Sequence, residues 1–226
     1  MAVSLVEAVI GVSASVPGMD QPDRYDRSTA LIVVDVQNDF ADPGGSLWVA
    51  GAAAILPRIN DAIRDAGRAG AIVVFTQDWH PETTPHFAKD GGIWPVHCLA
   101  GTWGAALHPD LLVPDGAPRI RKGANGEDGY SGFTMRDPVS GETTPTELDG
   151  LLRKRGVAKV VVCGLATDYC VNATALDALN LGYETFFLED GVAAVDLQPG
   201  DGERATDAML DAGCQPWVVP DDAPAA

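Results

Sequence analysis

Apolar residues recur along the chain in six short runs, at 30–35, 71–77, 118–121, 157–163, 183–188 and 215–219. Runs of this length, rich in valine and isoleucine, predict buried strands. Between several of them the apolar positions take a helical period. In 51–69, Ile55, Ile59 and Ile63 fall at i, i+4 and i+8 to make one apolar stripe, and Gly70 supplies the stop. Segment 145–155 opens with acids and closes with bases, as the helix dipole favours, before Gly156. Residues 168–180 and 201–212 predict two further helices, ended by Gly182 and Gly213. Strand and helix alternating at this spacing predict an α/β fold, a three-layer sandwich whose mostly parallel central sheet carries helices on both faces.

Two stretches, 78–117 and 123–144, break the pattern. Connections of that length without periodicity are functional or disordered. The first holds all four histidines and three of the five tryptophans, so it reads as an insert that builds a site.

Composition narrows the setting. A length of 226 residues suits one domain, expected over 28–220. The net charge of −17, from 15 basic and 32 acidic residues, opposes nucleic acid and anionic membranes as partners. No apolar run approaches the roughly 20 residues of a membrane span. Residues 1–27 mix a weakly apolar stretch with Pro, Asp and Arg. They lack early positive charge and carry Glu7, which predicts a disordered extension rather than a signal peptide. Met1 and Met19 both stand as candidate starts. The cysteines at 98, 163, 170 and 214 show no CxxC spacing, which points away from a disulfide framework and towards a reducing cytoplasm.

Three apolar runs end on polar groups that a parallel sheet would bring to one crevice: Asp35, Lys122 and the segment leading to Cys170. Cys170 follows VVVCGLATDY, in the opening turn of a predicted helix, where unpaired N–H groups favour a thiolate and could hold an oxyanion. Taken singly, each has a plainer reading: Asp35 as a loop-ordering group, Lys122 as a solvated lysine, Cys170 as a small buried apolar residue. Asp78, His80, His86 and His97 put one carboxylate and three imidazoles within 20 residues, a donor set suited to zinc, iron or manganese. His108, before Pro109, reads as a turn or capping residue, Cys98 as a ligand or packing residue, and Cys163 and Cys214 as packing.

The motifs ALIVVDVQNDF, QDWHPETTPHF, WPVHC, RKGAN and GLATDYCV, in this order, resemble the nicotinamidases (pyrazinamidases) of the isochorismatase-like cysteine hydrolases over about 30–215. The resemblance implies a catalytic triad of Asp35, Lys122 and Cys170. It implies a divalent metal, zinc first and then iron or manganese, on Asp78, His80 and His97 with His86 as a further histidine. Phe40, Trp94 and Tyr130 match the pocket walls, and the N–H groups of Ala166 and Cys170 match the oxyanion hole, with a cis peptide at Leu165–Ala166. The implied reaction converts nicotinamide to nicotinate and ammonia in a cytoplasmic enzyme, and a homo-oligomer is compatible with it. Two other readings stand beside it. A related amidase acting on an N-carbamoyl or ureido substrate would need no metal set. A non-catalytic metal-binding or thiol-sensor protein would not need both Asp35 and Lys122.

Overall fold

The computed structural model describes residues 24–218, so the expected extension over 1–27 lies, up to residue 23, outside the described residues. The first strand is β1 (Thr29–Val34), followed by a single turn α1 (Asn38–Ala41) and the long helix α2 (Ala52–Ala69). Next come β2 (Ile72–Asp78), the histidine-bearing insert, β3 (Arg119–Lys122) and a small hairpin of β4 (Thr134–Arg136) and β5 (Thr143–Pro145). The second half contains α3 (Leu148–Lys154), β6 (Lys159–Leu165), α4 (Asn172–Asn180), β7 (Glu184–Ala193), α5 (Asp201–Ala212) and β8 (Gln215–Pro216).

Six strands form one sheet in the order β3-β2-β1-β6-β7-β8, and every neighbouring pair is parallel. Such a sheet is covered on both faces, which is why β1 reads as an unbroken apolar run and is buried throughout. Alternation along the strands still divides the core. Leu31, Val33, Val161 and Cys163 face α2, while Ala30, Ile32, Val160 and Val162 face α3, α4 and α5. The predicted stripe of α2 is the buried one; Ile59 and Ile63 are fully enclosed, each contributing about 1.5–3 kcal/mol of burial. Pro57 removes one intrahelical bond, yet the helix runs through it to the left-handed Gly70.

The strand order reverses between β1 and β6, and the crevice beyond their carboxyl ends is where open α/β sheets place ligands. The chain departs from expectation in two places. The helix expected from 168 opens with a wider π-type turn at Thr167–Val171 before α4 begins, and the stretch 123–144 contributes β4 to the hairpin. That hairpin escaped the sequence reading because its strands, TMR and TTP, are short and carry almost no apolar residues.

Gly164 explains how β6 lies so close to β1. Its φ is +112°, and a Cβ there would press on the Val34 backbone. Gly164→Ala should lower stability by at least about 2 kcal/mol through strain and overpacking. Urea unfolding checks this, and a midpoint unchanged from the parent would contradict it.

Candidate active site

Asp35 follows β1 with a positive φ of 49°, a conformation that aspartate tolerates better than most residues. Its carboxylate is fully buried. Thr76 of β2 donates its hydroxyl to Asp35 Oδ1 at 2.6 Å and accepts the Asp35 N–H at 3.2 Å. From the end of β3, Lys122 reaches the same place, with Nζ 2.7 Å from Asp35 Oδ2 and 2.5 Å from Asp78 Oδ1. It also donates to the Gly129 carbonyl and stands 3.7 Å from Cys170 Sγ. The side-chain donors of Asp35, Asp78 and Cys170 all lie within 4.8 Å of one another.

This arrangement sets the protonation states. Burial raises the Asp35 carboxyl to about 6 despite the adjacent ammonium. Burial would raise Asp78 too, but Lys122 and the imidazoles of His80 and His97 hold it well below the usual range. Burial disfavours the charged lysine, and the two carboxylates overcome this, keeping Lys122 protonated well above its ordinary value. The Cys170 thiol is pushed up, first by burial and then by the carboxylates of Asp35 and Asp78, with Lys122 opposing. The pull of the helix start towards a thiolate therefore meets a stronger effect. Cys170 rests as a thiol and needs a base.

Around Cys170 the backbone turns sharply. The Leu165–Ala166 peptide is cis, and Val171 N–H reaches back to the Ala166 carbonyl at 3.0 Å. Cys170 N–H precedes that bond, among the orphan donors of the helix start.

Beside the Asp35–Lys122–Cys170 cluster, His80, His86 and His97 offer ring nitrogens within 4.8 Å of one another, all three buried. Asp78 Oδ2 faces them, 3.7 Å from His80 Nε2 and 3.8 Å from His97 Nε2. His97 directs Nδ1 to the Pro95 carbonyl at 2.7 Å, and His86 directs Nδ1 to Asp128 at 2.8 Å. Neither ring nitrogen of the fully buried His80 has a hydrogen-bond partner among the described residues. Buried polar atoms are rarely left so, and an imidazole with lone pair free beside two others and a carboxylate suits a divalent metal. Gly123 admits the ring, since a Cβ there would come within 2.5 Å of His80 Cε1.

Cys170, Asp78, His86 and His97 open onto one cavity of about 420 Å³, mouth included, walled by Phe40, Trp94, Tyr130, Tyr169 and Ala166 among others, with Asp35, Lys122 and His80 buried behind it. Trp94 Nε1 donates to the Tyr130 hydroxyl at 2.9 Å, and Tyr169 packs edge-on against Trp94. A pocket with aromatic walls and a few convergent polar groups fits a small planar molecule.

An isochorismatase domain model matches residues 29–220. The chain belongs to the isochorismatase family of hydrolases. It is 40% identical over 203 residues to the nicotinamidase of Acinetobacter baylyi, covering 82% of this chain and 90% of that one. The zinc complex of the pyrazinamidase of Pyrococcus horikoshii superposes with a TM-score of 0.74 at 42% identity, covering 84% and 98% of the two chains. PnC1 from L. infantum, in complex with nicotinate, gives 0.78 at 38%, covering 87% and 96%.

Within this isochorismatase fold every residue singled out from the sequence lies at or beside the cavity, except those given packing or turn roles. His108 accepts the Asp110 N–H at 3.2 Å within a turn, and Cys98, Cys163 and Cys214 are buried in the two cores. Four contributors went unread. Thr76 orients Asp35, and Asp128 orients His86. Tyr169 adds a wall. Gln37 fixes Asp78 by accepting its N–H and donating to its carbonyl, both at 2.8 Å. The signal for Gln37 was available in VDVQNDF, where a buried amide three residues past a strand needs backbone partners. Among the described residues no helix is long and apolar enough to cross a membrane.

Lys122→Met should cost about 3–5 kcal/mol near neutral pH, because it strands two buried carboxylates. Without the ammonium the Asp35 carboxyl rises above the about 6 it has in the parent, so the variant takes up a proton that the parent does not and the deficit should shrink as pH falls from about 8 to about 6. Unfolding measured at both pH values checks this, and a loss independent of pH would contradict it.

Proposed function

We propose that this chain hydrolyses nicotinamide to nicotinate and ammonia, with Cys170 as nucleophile. The observation that carries the reading is that a Cys170–Asp35–Lys122 cluster and three convergent imidazoles adjoin one aromatic-walled cavity, onto which Cys170, His86 and His97 open. The likeness to a zinc-bound pyrazinamidase and a nicotinate-bound homologue supports it.

Asp35, ionised above about 6, takes the Cys170 proton as Sγ attacks the carboxamide carbon. The N–H groups of Ala166 and Cys170 hold the oxyanion, each contributing about 3 kcal/mol to barrier lowering. Asp35 then gives the proton to the departing nitrogen, releasing ammonia and leaving a thioester on Sγ. It next takes a proton from water as that water attacks the thioester, and returns it to the sulfur as nicotinate leaves. Lys122 stays charged throughout and holds Asp35 in place. Phe40, Trp94 and Tyr130 sandwich the ring and keep bulk water away. Asp78, His80 and His97, with His86 beside them, would hold zinc, iron or manganese. When bound, that ion supplies a Lewis-acidic centre for the ring nitrogen, orienting the amide.

An N-carbamoyl or ureido amide would give the three imidazoles nothing to do. A thiol sensor would leave Asp35 and Lys122 without a role. Nicotinamide uses all of them.

Ammonia release from nicotinamide is the direct assay. Cys170→Ala and Asp35→Asn should each abolish it while the fold and metal content persist. A Cys170→Ala chain retaining a tenth of the parent rate would remove the nucleophile from the account.

The pure protein should carry about one transition-metal ion per chain, and a chelator should suppress nicotinamide turnover far more than alkylation of Cys170 by a small thiol reagent. Elemental analysis and paired rate measurements check this. Equal losses would make the ion structural.

Because Asp35 acts only when ionised and its carboxyl is raised to about 6, kcat/KM should fall as pH drops through that value. A profile flat down to about 4, the ordinary carboxylate range, would contradict the role.

A further inference from the structure

The stretch 123–144 contributes more than Lys122's neighbours. Asp128 pairs with Arg136 through reciprocal backbone bonds of 2.7 and 3.1 Å, which anchors it to the β4–β5 hairpin. Its side chain is nearly buried and spans two partners. Oδ1 lies 2.8 Å from His86 Nδ1, and Oδ2 accepts from Arg136 Nη1 at 3.1 Å. A second link joins the same two loops, since Thr84 accepts the His86 N–H at 3.2 Å and donates to the Gly126 carbonyl at 3.0 Å. The His86 ring is thus tied at backbone and side chain to a segment 42 residues later.

A carboxylate facing Nδ1 demands a proton there. That fixes the tautomer and leaves Nε2 as the nitrogen with a free lone pair, the same outcome that the Pro95 carbonyl imposes on His97. Arg136, on the other carboxylate oxygen, keeps the side chain aimed. We propose that Asp128 is a positioning residue that fixes His86 as its Nδ1–H tautomer and so makes Nε2 a donor in the histidine cluster. The inference rests on the reading that this cluster holds a metal, and it extends that reading to the β4–β5 hairpin through Arg136.

The test is a double-mutant cycle on zinc affinity, measured by chelator competition with the full chain. Asp128→Ala should weaken zinc binding by about 10–100-fold in the parent and have no further effect in a His86→Ala background. An Asp128→Ala chain that binds zinc as the parent does would overturn the inference, and so would a loss that persists without His86. A parent that binds no zinc would overturn the metal reading together with the inference. Ring ¹⁵N spectra of the zinc-loaded parent decide the matter even where Asp128→Ala fails to fold. His86 with Nδ1 protonated and Nε2 ligated supports the assignment, and any other state of that ring overturns it.

Discussion

One buried ammonium organises this site. Lys122 is wholly enclosed, and its charge is tolerable there only because Asp35 and Asp78 both stand at hydrogen-bonding distance. Each carboxylate in turn would be costly without the lysine. The three groups come from the ends of three adjacent strands, β1, β2 and β3, so the register of the parallel sheet fixes the distances between them. A slip of one residue in any strand would turn its polar group to the other face. The fold and the chemistry therefore share one constraint: the sheet must deliver two negative charges and one positive charge to the same dry point.

From that point the two carboxylates diverge. Asp35 faces Cys170 with Lys122 on one oxygen and the Thr76 hydroxyl on the other, yet burial dominates and its carboxyl rises to about 6. Asp78 has the same lysine on one oxygen and two imidazoles on the other, and it stays ionised. Environments that push two acids apart assign them different work. In the proposed mechanism Asp35 exchanges protons with sulfur, while Asp78 links Lys122 to the histidine cluster. The high thiol pKa of Cys170 fits this division, because sulfur gives up its proton only to a base already in place.

Most of this was legible in the sequence where apolar patterning or residue chemistry spoke alone. The core strands announced themselves because a parallel sheet buries both faces and leaves no polar residue in β1 beyond Thr29. Asp35, Lys122 and Cys170 were readable as polar groups at the ends of such runs, and the histidines as a donor set too dense for chance. What remained hidden depended on partners distant in the chain. Asp128 sits 42 residues from the imidazole it orients, inside a stretch with no periodicity. The helix start pointed to a lowered Cys170 thiol pKa because that geometry is local, whereas the burial and the two neighbouring carboxylates that raise it are tertiary. The wider turn at Thr167–Val171 looks like ordinary helix in sequence, since no side chain distinguishes the two.

The central claim is that the reaction passes through a covalent bond at Cys170. The most direct measurement is mass spectrometry of protein quenched by acid during turnover of nicotinamide. The account predicts a nicotinoyl group on the peptide containing Cys170, carried by sulfur and released by hydroxylamine. Steady turnover with Cys170 unmodified, persisting after that thiol has been alkylated, would contradict it.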